Sequence, residues 1–139
     1  MISAKLDFTT SLNDTKEIGY IEFVSFQIVY VNGLPGAKPH ELVLLETGEI
    51  GQVMSLSRDY GEVLIFSKNA INVGTKVART NKVLEVPVGD EIIGSVINPL
   101  GEIVYTPGEP KTPVNFSKID SPVPGIKERR KITQPLETG

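Results

Sequence analysis

The sequence contains no cysteine, and this absence removes several kinds of chemistry at once. Disulfide frameworks, thiolate metal sites and cysteine nucleophiles are all excluded, and a chain without cysteine fits a cytosolic setting. Histidine is almost as scarce. The single one, His40, lies in the polar stretch Lys38–Glu41, which predicts a solvent-exposed side chain and not a general base beside a nucleophile.

Long apolar runs are also missing. The longest are four residues each, at Ile28–Val31, Leu42–Leu45 and Val63–Phe66. A membrane span needs about 20 apolar residues and the core of a signal peptide about 7 to 15. These lengths predict no direct membrane insertion and no export on an N-terminal signal.

The sequence has no excess of positive charge. Its 14 basic and 17 acidic residues give a net charge of −3, so nothing draws the chain to a nucleic-acid backbone. Residues 1–106 hold 8 basic and 13 acidic groups, whereas residues 107–139 hold 6 and 4. This shift predicts a segment boundary near residue 107.

Short apolar runs separated by turn residues are what the sequence does have. With 13 glycines and 10 prolines in 139 residues, it favours many short elements, and the length suits one domain. Valine, isoleucine and aromatic residues cluster between Gly, Pro, Asn and Asp, a pattern typical of strands. We predict strands at Ile18–Val24, Gln27–Val31, Glu41–Glu46, Ile50–Ser57, Gly61–Phe66 and Lys76–Val86, the last broken near Thr80-Asn81.

The predicted fold class is all-β: a small closed six-stranded β-barrel over residues 18–86, followed by a Pro-rich extended segment. Residues 1–17 show no sustained period and predict a flexible N-terminal arm. Six prolines fall in the 29 residues from Pro107 to Pro135, which prevents a continuous helix or a central strand there. The end at Gly139, without a terminating element, predicts that the chain continues in a longer protein.

Two of the predicted strands are apolar on both faces. Of Ile28 and Val29, and of Val63 and Leu64, only one of each pair fits inside so narrow a barrel. We therefore expect an apolar outer face that something else covers, such as a neighbouring subunit.

The motifs that carry chemistry are weak, and we predict no catalytic, cofactor-binding or metal residue in the chain. The acidic pairs Asp59/Glu62 and Asp90/Glu91 lack the spacing of a calcium loop and fit turns and caps. The stretch Pro107–Thr112 ends in Lys-Thr, but its prolines rule out the backbone cradle that binds phosphate. The basic cluster Lys127–Lys131 is short and holds no aromatic residue, so a solvated or subunit-facing loop is favoured.

The order of several segments carries a family resemblance. The first four are Val29–Leu34, Glu41–Val43, Thr47–Val53 and Val73–Thr80. They resemble the N-terminal β-barrel of the subunits that form the catalytic ring of rotary ATPases. Val86–Gly101 resembles that family's junction between the barrel and the nucleotide-binding domain.

Three further segments narrow the resemblance within the family: Pro124–Ile126, Arg130-Lys131 and Gln134–Gly139. They are similar to the α subunit of F-type ATP synthase ahead of its nucleotide-binding core, so the resemblance covers residues 17–139. Three departures mark a divergent member. Ser95 replaces a common arginine, Glu102–Tyr105 replaces a proline-isoleucine-aspartate stretch, and Ser25-Phe26 replaces a glycine turn.

The resemblance implies that residues 18–86 are a crown domain and that residues 87–139 are a junction with an incomplete start of the nucleotide-binding domain. In the family, six such barrels from alternating α and β subunits hold the ring together. The expected partners are the β subunit and other subunits of the soluble ring, with no nucleic acid. The expected location is the cytoplasmic face of a membrane, as a peripheral part of a complex.

The family's phosphate loop, metal-binding acidic residue and inter-subunit arginine all lie downstream of Gly139. The resemblance therefore implies no cofactor in this chain, and Mg-ATP for the full-length parent. Two alternatives stay open at this point. One is a fragment of a flagellar or type III export ATPase, which shares the junction. The other is a stand-alone oligonucleotide-binding barrel, which needs stacking aromatics and a basic groove.

Overall fold

The computed structural model describes residues 7–109, 112–120, 123, 125–127 and 129. In chain order the elements are α1 (Phe8–Thr15), β1 (Ile18–Ser25), β2 (Ile28–Asn32), β3 (Glu41–Leu45), β4 (Ile50–Leu56), β5 (Gly61–Ile65), β6 (Lys76–Val83), β7 (Glu85–Val88), a 3₁₀ turn (Asp90–Ile92), β8 (Val96–Ile97), β9 (Ile103–Tyr105) and β10 (Asn115–Lys118). No helix in these ranges is both long and apolar enough to cross a membrane.

Six strands form a closed barrel in the order β1-β2-β5-β4-β3-β6, which confirms the predicted fold class. All neighbours are antiparallel, and the barrel closes where Ile18 of β1 pairs with Ala78 of β6. The first five predicted strands match to within one residue at each end. The sixth ends at Val83 because β7 leaves the barrel to pair with β10.

The expected irregularity in β6 is present at Asn81. This residue has a φ of 53°, and the pairing of β6 with β3 shifts register beside it, between Glu41 and Val43. The strand continues through this bulge. A bulge bends one strand while leaving the ladder on either side intact, so the barrel still closes here.

The interior of the barrel holds one dry cluster. Alternate residues of each strand point inward, as a pleated strand requires. The cluster consists of Ile21, Val29, Val31, Val43, Leu45, Val53, Val63, Ile65 and Val77, all nearly inaccessible to solvent. Most members are β-branched, which suits a narrow barrel interior.

A second apolar cluster lies on the outer face of β3 and β4. Its buried members are Leu42, Leu44, Ile50 and Leu84, and Phe8, Phe66 and Leu100 pack against them. The outer face is therefore covered on this side, and the cover is the chain itself: α1, the residue between β6 and β7, and the junction. The cover by another subunit that was expected over Ile28 and Leu64 stays a prediction.

Residues 8–15 form the helix α1 within the segment 1–17, where the sequence showed no sustained period and predicted a flexible arm; residues 1–6 lie outside the described residues. The Asp7 carboxylate accepts a hydrogen bond from the Thr10 N–H at 3.1 Å, and Lys16, with a φ of 56°, ends the helix. The side facing the barrel carries Phe8, Ser11, Leu12 and Thr15. Two of these four residues are polar, so the helical period was too weak to recognise in the sequence.

Beyond the barrel, two short ribbons form the junction. β7 pairs with β10 and β8 pairs with β9, each as an antiparallel pair. β10 lies within the Pro-rich stretch but contains no proline itself. The division of the chain at residues 17 and 86 stays a prediction.

The cap of α1 can be tested with a matched pair of variants. Asp7→Ala removes the acceptor for the Thr10 N–H and should destabilise the helix by about 1 kcal/mol. Asp14→Ala, near the other end, should leave it unchanged or slightly more stable, because an acidic residue there opposes the helix dipole. Hydrogen exchange of the Ser11 and Lys16 amides, which bond to Asp7 and Leu12 carbonyls, measures both effects. Unchanged exchange in Asp7→Ala would show that packing alone holds α1.

Candidate functional site

His40 is exposed, as predicted. It precedes β3 with a φ of 66°, and its Nδ1 lies 3.2 Å from the Asp120 carboxylate, which the sequence did not indicate. Both side chains are more than half exposed. An exposed His–Asp pair ties the loop before β3 to the segment after β10 and forms no part of a buried catalytic arrangement.

The other residues considered for chemistry do not assemble into a site. Among the described residues, no three His, Asp or Glu side chains come close enough together to hold a metal ion. The stretch Pro107–Thr112 is described only in part, since residues 110 and 111 lie outside the described ranges. The same holds for the cluster Lys127–Lys131, of which residues 128, 130 and 131 are outside.

The strongest polar feature is a buried charge network centred on Arg79 of β6. Its guanidinium reaches both carboxylate oxygens of Glu41 on β3, at 3.1 and 3.2 Å, and Glu17 at 2.9 Å. Arg79 is 8% exposed and Glu41 only 2%. Burial opposes the charge on Arg79, but the hydrogen bonds and attraction of Glu41 and Glu17 outweigh it and raise its pKa above the ordinary value.

The two carboxylates of this network also hold backbone. Glu41 accepts from the N–H groups of Lys38 and Asn81, at 3.0 and 2.9 Å, and Glu17 accepts from the Gly36 N–H at 3.1 Å. The network of Arg79, Glu41 and Glu17 therefore joins four segments of the chain: the segment after α1, the loop before β3, β3 itself and the bulge of β6. The network is a structural clamp, because each of its buried nitrogen and oxygen atoms already has a hydrogen-bond partner within the chain.

A second feature lies on the opposite outer surface, where β1 and β2 pair. We call the side chains of Phe23, Phe26, Ile28, Tyr30 and Tyr60 the aromatic face; Tyr30 is half-buried and the other four are exposed. The Tyr30 ring lies between Phe23, at a centroid distance of 5.7 Å, and Tyr60, at 5.2 Å and nearly perpendicular. Phe23 is 60% exposed and Phe26 fully exposed.

The local sequence explains why these side chains point outward. Val29 and Val63 pair across β2 and β5 inside the barrel, so their neighbours Ile28 and Leu64, which also pair, point outside. This is the division that the sequence predicted. A bulge between Ile21 and Phe23 then brings Phe23 opposite Tyr30 on the same outer face.

Sequence reasoning found one member of the aromatic face and missed the rest. Ile28 was recognised because it stands in an apolar run. Phe23 and Tyr30 belong to one hairpin, but their meeting depends on the bulge in β1, and Tyr60 joins them only because β2 pairs with the distant strand β5. A contiguous exposed apolar surface of this kind is typical of an interaction site.

Comparison with known proteins gives a consistent result. No protein-family model matches the chain. It is 37% identical over 127 residues to the ATP synthase subunit alpha of Streptococcus pyogenes serotype M5, and equally to those of serotypes M2 and M49. Each alignment covers 91% of this chain and 25% of the relative. The chain thus spans about a quarter of the length of the curated relatives it matches.

The contribution of the clamp to stability can be tested by replacing Arg79, the residue that both glutamates contact. Arg79→Met leaves the buried Glu41 carboxylate without its counter-charge and should lower the free energy of unfolding by about 3–5 kcal/mol. Lys76→Met on the same strand removes an exposed pair with Glu46, 3.6 Å away, and should cost less than about 1 kcal/mol. Urea denaturation of the full chain compares the two. Equal, small losses would show that the network contributes no more than a surface ion pair.

Proposed function

Because this chain is related to the α subunit of ATP synthase, as its own segments predicted, we propose that it is the structural barrel domain of such a subunit and holds an α/β ring together. One observation carries the proposal: the barrel closes in the region that is 37% identical to the curated α subunits. The function is mechanical, since the described residues assemble a clamp and an exposed apolar face.

The barrel suits an assembly role for a physical reason. Closure leaves the barrel strands without a free edge, so neighbours cannot join by extending the barrel sheet and must pack against it through side chains. A rigid barrel then keeps its surface unchanged while other parts of a complex move. In the proposed parent, the remaining three-quarters would bind Mg-ATP and take part in proton-coupled ATP synthesis or hydrolysis. The complex would be peripheral, at the cytoplasmic face of its membrane.

The alternatives have less support. An oligonucleotide-binding barrel would use the aromatic face for stacking, but Glu22 and Glu62 border that face and would repel phosphates. An export ATPase shares the junction segment, whereas the curated relatives reported above are α subunits of ATP synthase.

The assembly role is tested by mixing the chain with an ATP synthase β subunit. Analytical ultracentrifugation should show a monomer for the chain alone at micromolar concentration and a heavier species with the β subunit. The partner is expected to differ from the chain because the proposed ring alternates two subunits. A stable homohexamer of the chain alone, or no complex at about 100 µM of each protein, would contradict the proposal.

The isolated chain should neither bind nor hydrolyse ATP. Phosphoryl transfer needs a backbone-amide cradle, a metal-holding carboxylate and a charge-stabilising arginine in one place. The only buried arginine among the described residues, Arg79, is already engaged by two glutamates. Calorimetry with Mg-ATP should show no heat of binding. A dissociation constant tighter than about 100 µM, or roughly −5.5 kcal/mol, would contradict this.

A further inference from the structure

We infer that the aromatic face is the contact surface for a neighbouring subunit of different sequence, one that presents an apolar surface bordered by lysine or arginine. This inference rests on the proposed assembly role and adds to it a location, an anchor residue and the chemistry of the partner. Three independent features of the face support it.

The first feature is Phe26, in the two-residue turn between β1 and β2. Its φ is 54°, in the left-handed region that costs a bulky residue free energy and that hairpin turns usually fill with Gly or Asn. Its side chain is fully exposed, so nothing among the described residues offsets either the strain or the exposure. A partner that buries the ring would supply the missing compensation, which makes Phe26 the anchor of the contact.

The second feature is the fixed arrangement of the three other aromatic rings. Tyr30 is held between Phe23 and Tyr60 by ring contacts at 5.7 and 5.2 Å on a closed barrel. Side chains that are ordered before binding lose little conformational entropy when a partner covers them. A groove of about 320 Å³, lined by Tyr60, Leu56 and Leu34 among others, adjoins these rings and gives the face a concave part.

The third feature is the charge at the border of the face. Glu22 accepts a hydrogen bond from the Asn32 amide at 2.9 Å, and Glu62 accepts one from the Ser55 hydroxyl at 2.7 Å. Both donors are neutral, and neither carboxylate forms an ion pair within the described residues. Asp59 adds a third carboxylate near Tyr60, and Arg58 is the single basic residue of that hairpin.

This charge distribution selects the partner. If two copies of the chain met through the aromatic face, the same carboxylates would face each other across the contact, and like charges there are unfavourable. A partner with lysine or arginine at the border would pair with them instead. The face therefore fits a different subunit and disfavours a second copy of this chain.

The anchor can be tested with a variant whose two effects have opposite signs. Phe26→Asn places a residue that tolerates positive φ in the turn, so the melting temperature should rise by about 2–4 °C. The same change removes the anchor, so binding to an ATP synthase β subunit should weaken about tenfold. Val104→Asn is the matched control, because Val104 is equally apolar and 67% exposed on β9, outside the barrel. It should leave binding unchanged.

The charge of the border is tested separately. Glu62→Gln keeps an acceptor for the Ser55 hydroxyl but removes the charge, and it should weaken β-subunit binding about threefold. Glu62→Lys should weaken it about tenfold or more. For both variants the loss should shrink between 50 mM and 500 mM NaCl, because salt screens charges at the border of a contact. Glu109→Lys, with the same change in net charge after β9, is the control.

The outcomes separate this inference from the proposed function. If the wild-type chain binds the β subunit and the Phe26 and Glu62 variants bind equally well, the assigned face is wrong and the assembly role stands. If the chain forms a homodimer that Phe26→Asn disrupts, the inferred partner chemistry is wrong. If the wild-type chain does not bind the β subunit at all, both the inference and the proposed function fail.

Discussion

The interior of a six-stranded barrel has room for the side chains on only one face of each strand, and most other features of this protein follow from that limit. The nine buried side chains of the interior cluster are all aliphatic. Apolar residues next to them in sequence, such as Leu44 and Ile28, must then lie on the outer surface. Other parts of the chain cover the region around Leu44, which we call the structural side. The region around Ile28 stays exposed and is the interaction side in our proposal.

On the structural side, the chain covers its own apolar surface. Helix α1 and the junction pack against Leu42, Leu44 and Ile50. The nearby clamp of Arg79 with Glu41 and Glu17 fixes the end of α1 and the loop before β3 to the barrel wall. A buried ion network has a large desolvation cost, and this one offsets it by satisfying three backbone N–H groups as well. It therefore specifies where the covering segments lie.

On the interaction side, nothing in the described part of the chain covers the aromatic face. Phe23 and Phe26 stay largely or fully exposed, and Phe26 occupies a strained turn position with no compensating contact from residues that the structure describes. An isolated domain gains nothing from this arrangement. In the proposed ring of alternating subunits, the same arrangement would give this barrel a surface that pairs with a different neighbour and not with its own copy.

Local patterns in the sequence determined the strands. Runs of β-branched residues between Gly, Pro, Asn and Asp predicted five of the six barrel strands to within one residue, while the sixth ends at Val83 and not at the predicted Val86. The resemblance to α subunits was visible in short ordered segments such as Thr47–Val53. The sequence could not reveal α1, because its barrel-facing side mixes Phe8 and Leu12 with Ser11 and Thr15. Nor could it reveal the clamp, since Glu17 and Arg79 are 62 positions apart, or the grouping of Phe23, Tyr30 and Tyr60. The clamp and the grouping of the aromatic rings depend on strand order and register. Strand order and register are set by the tertiary structure, and they decide which side chains from different parts of the sequence meet.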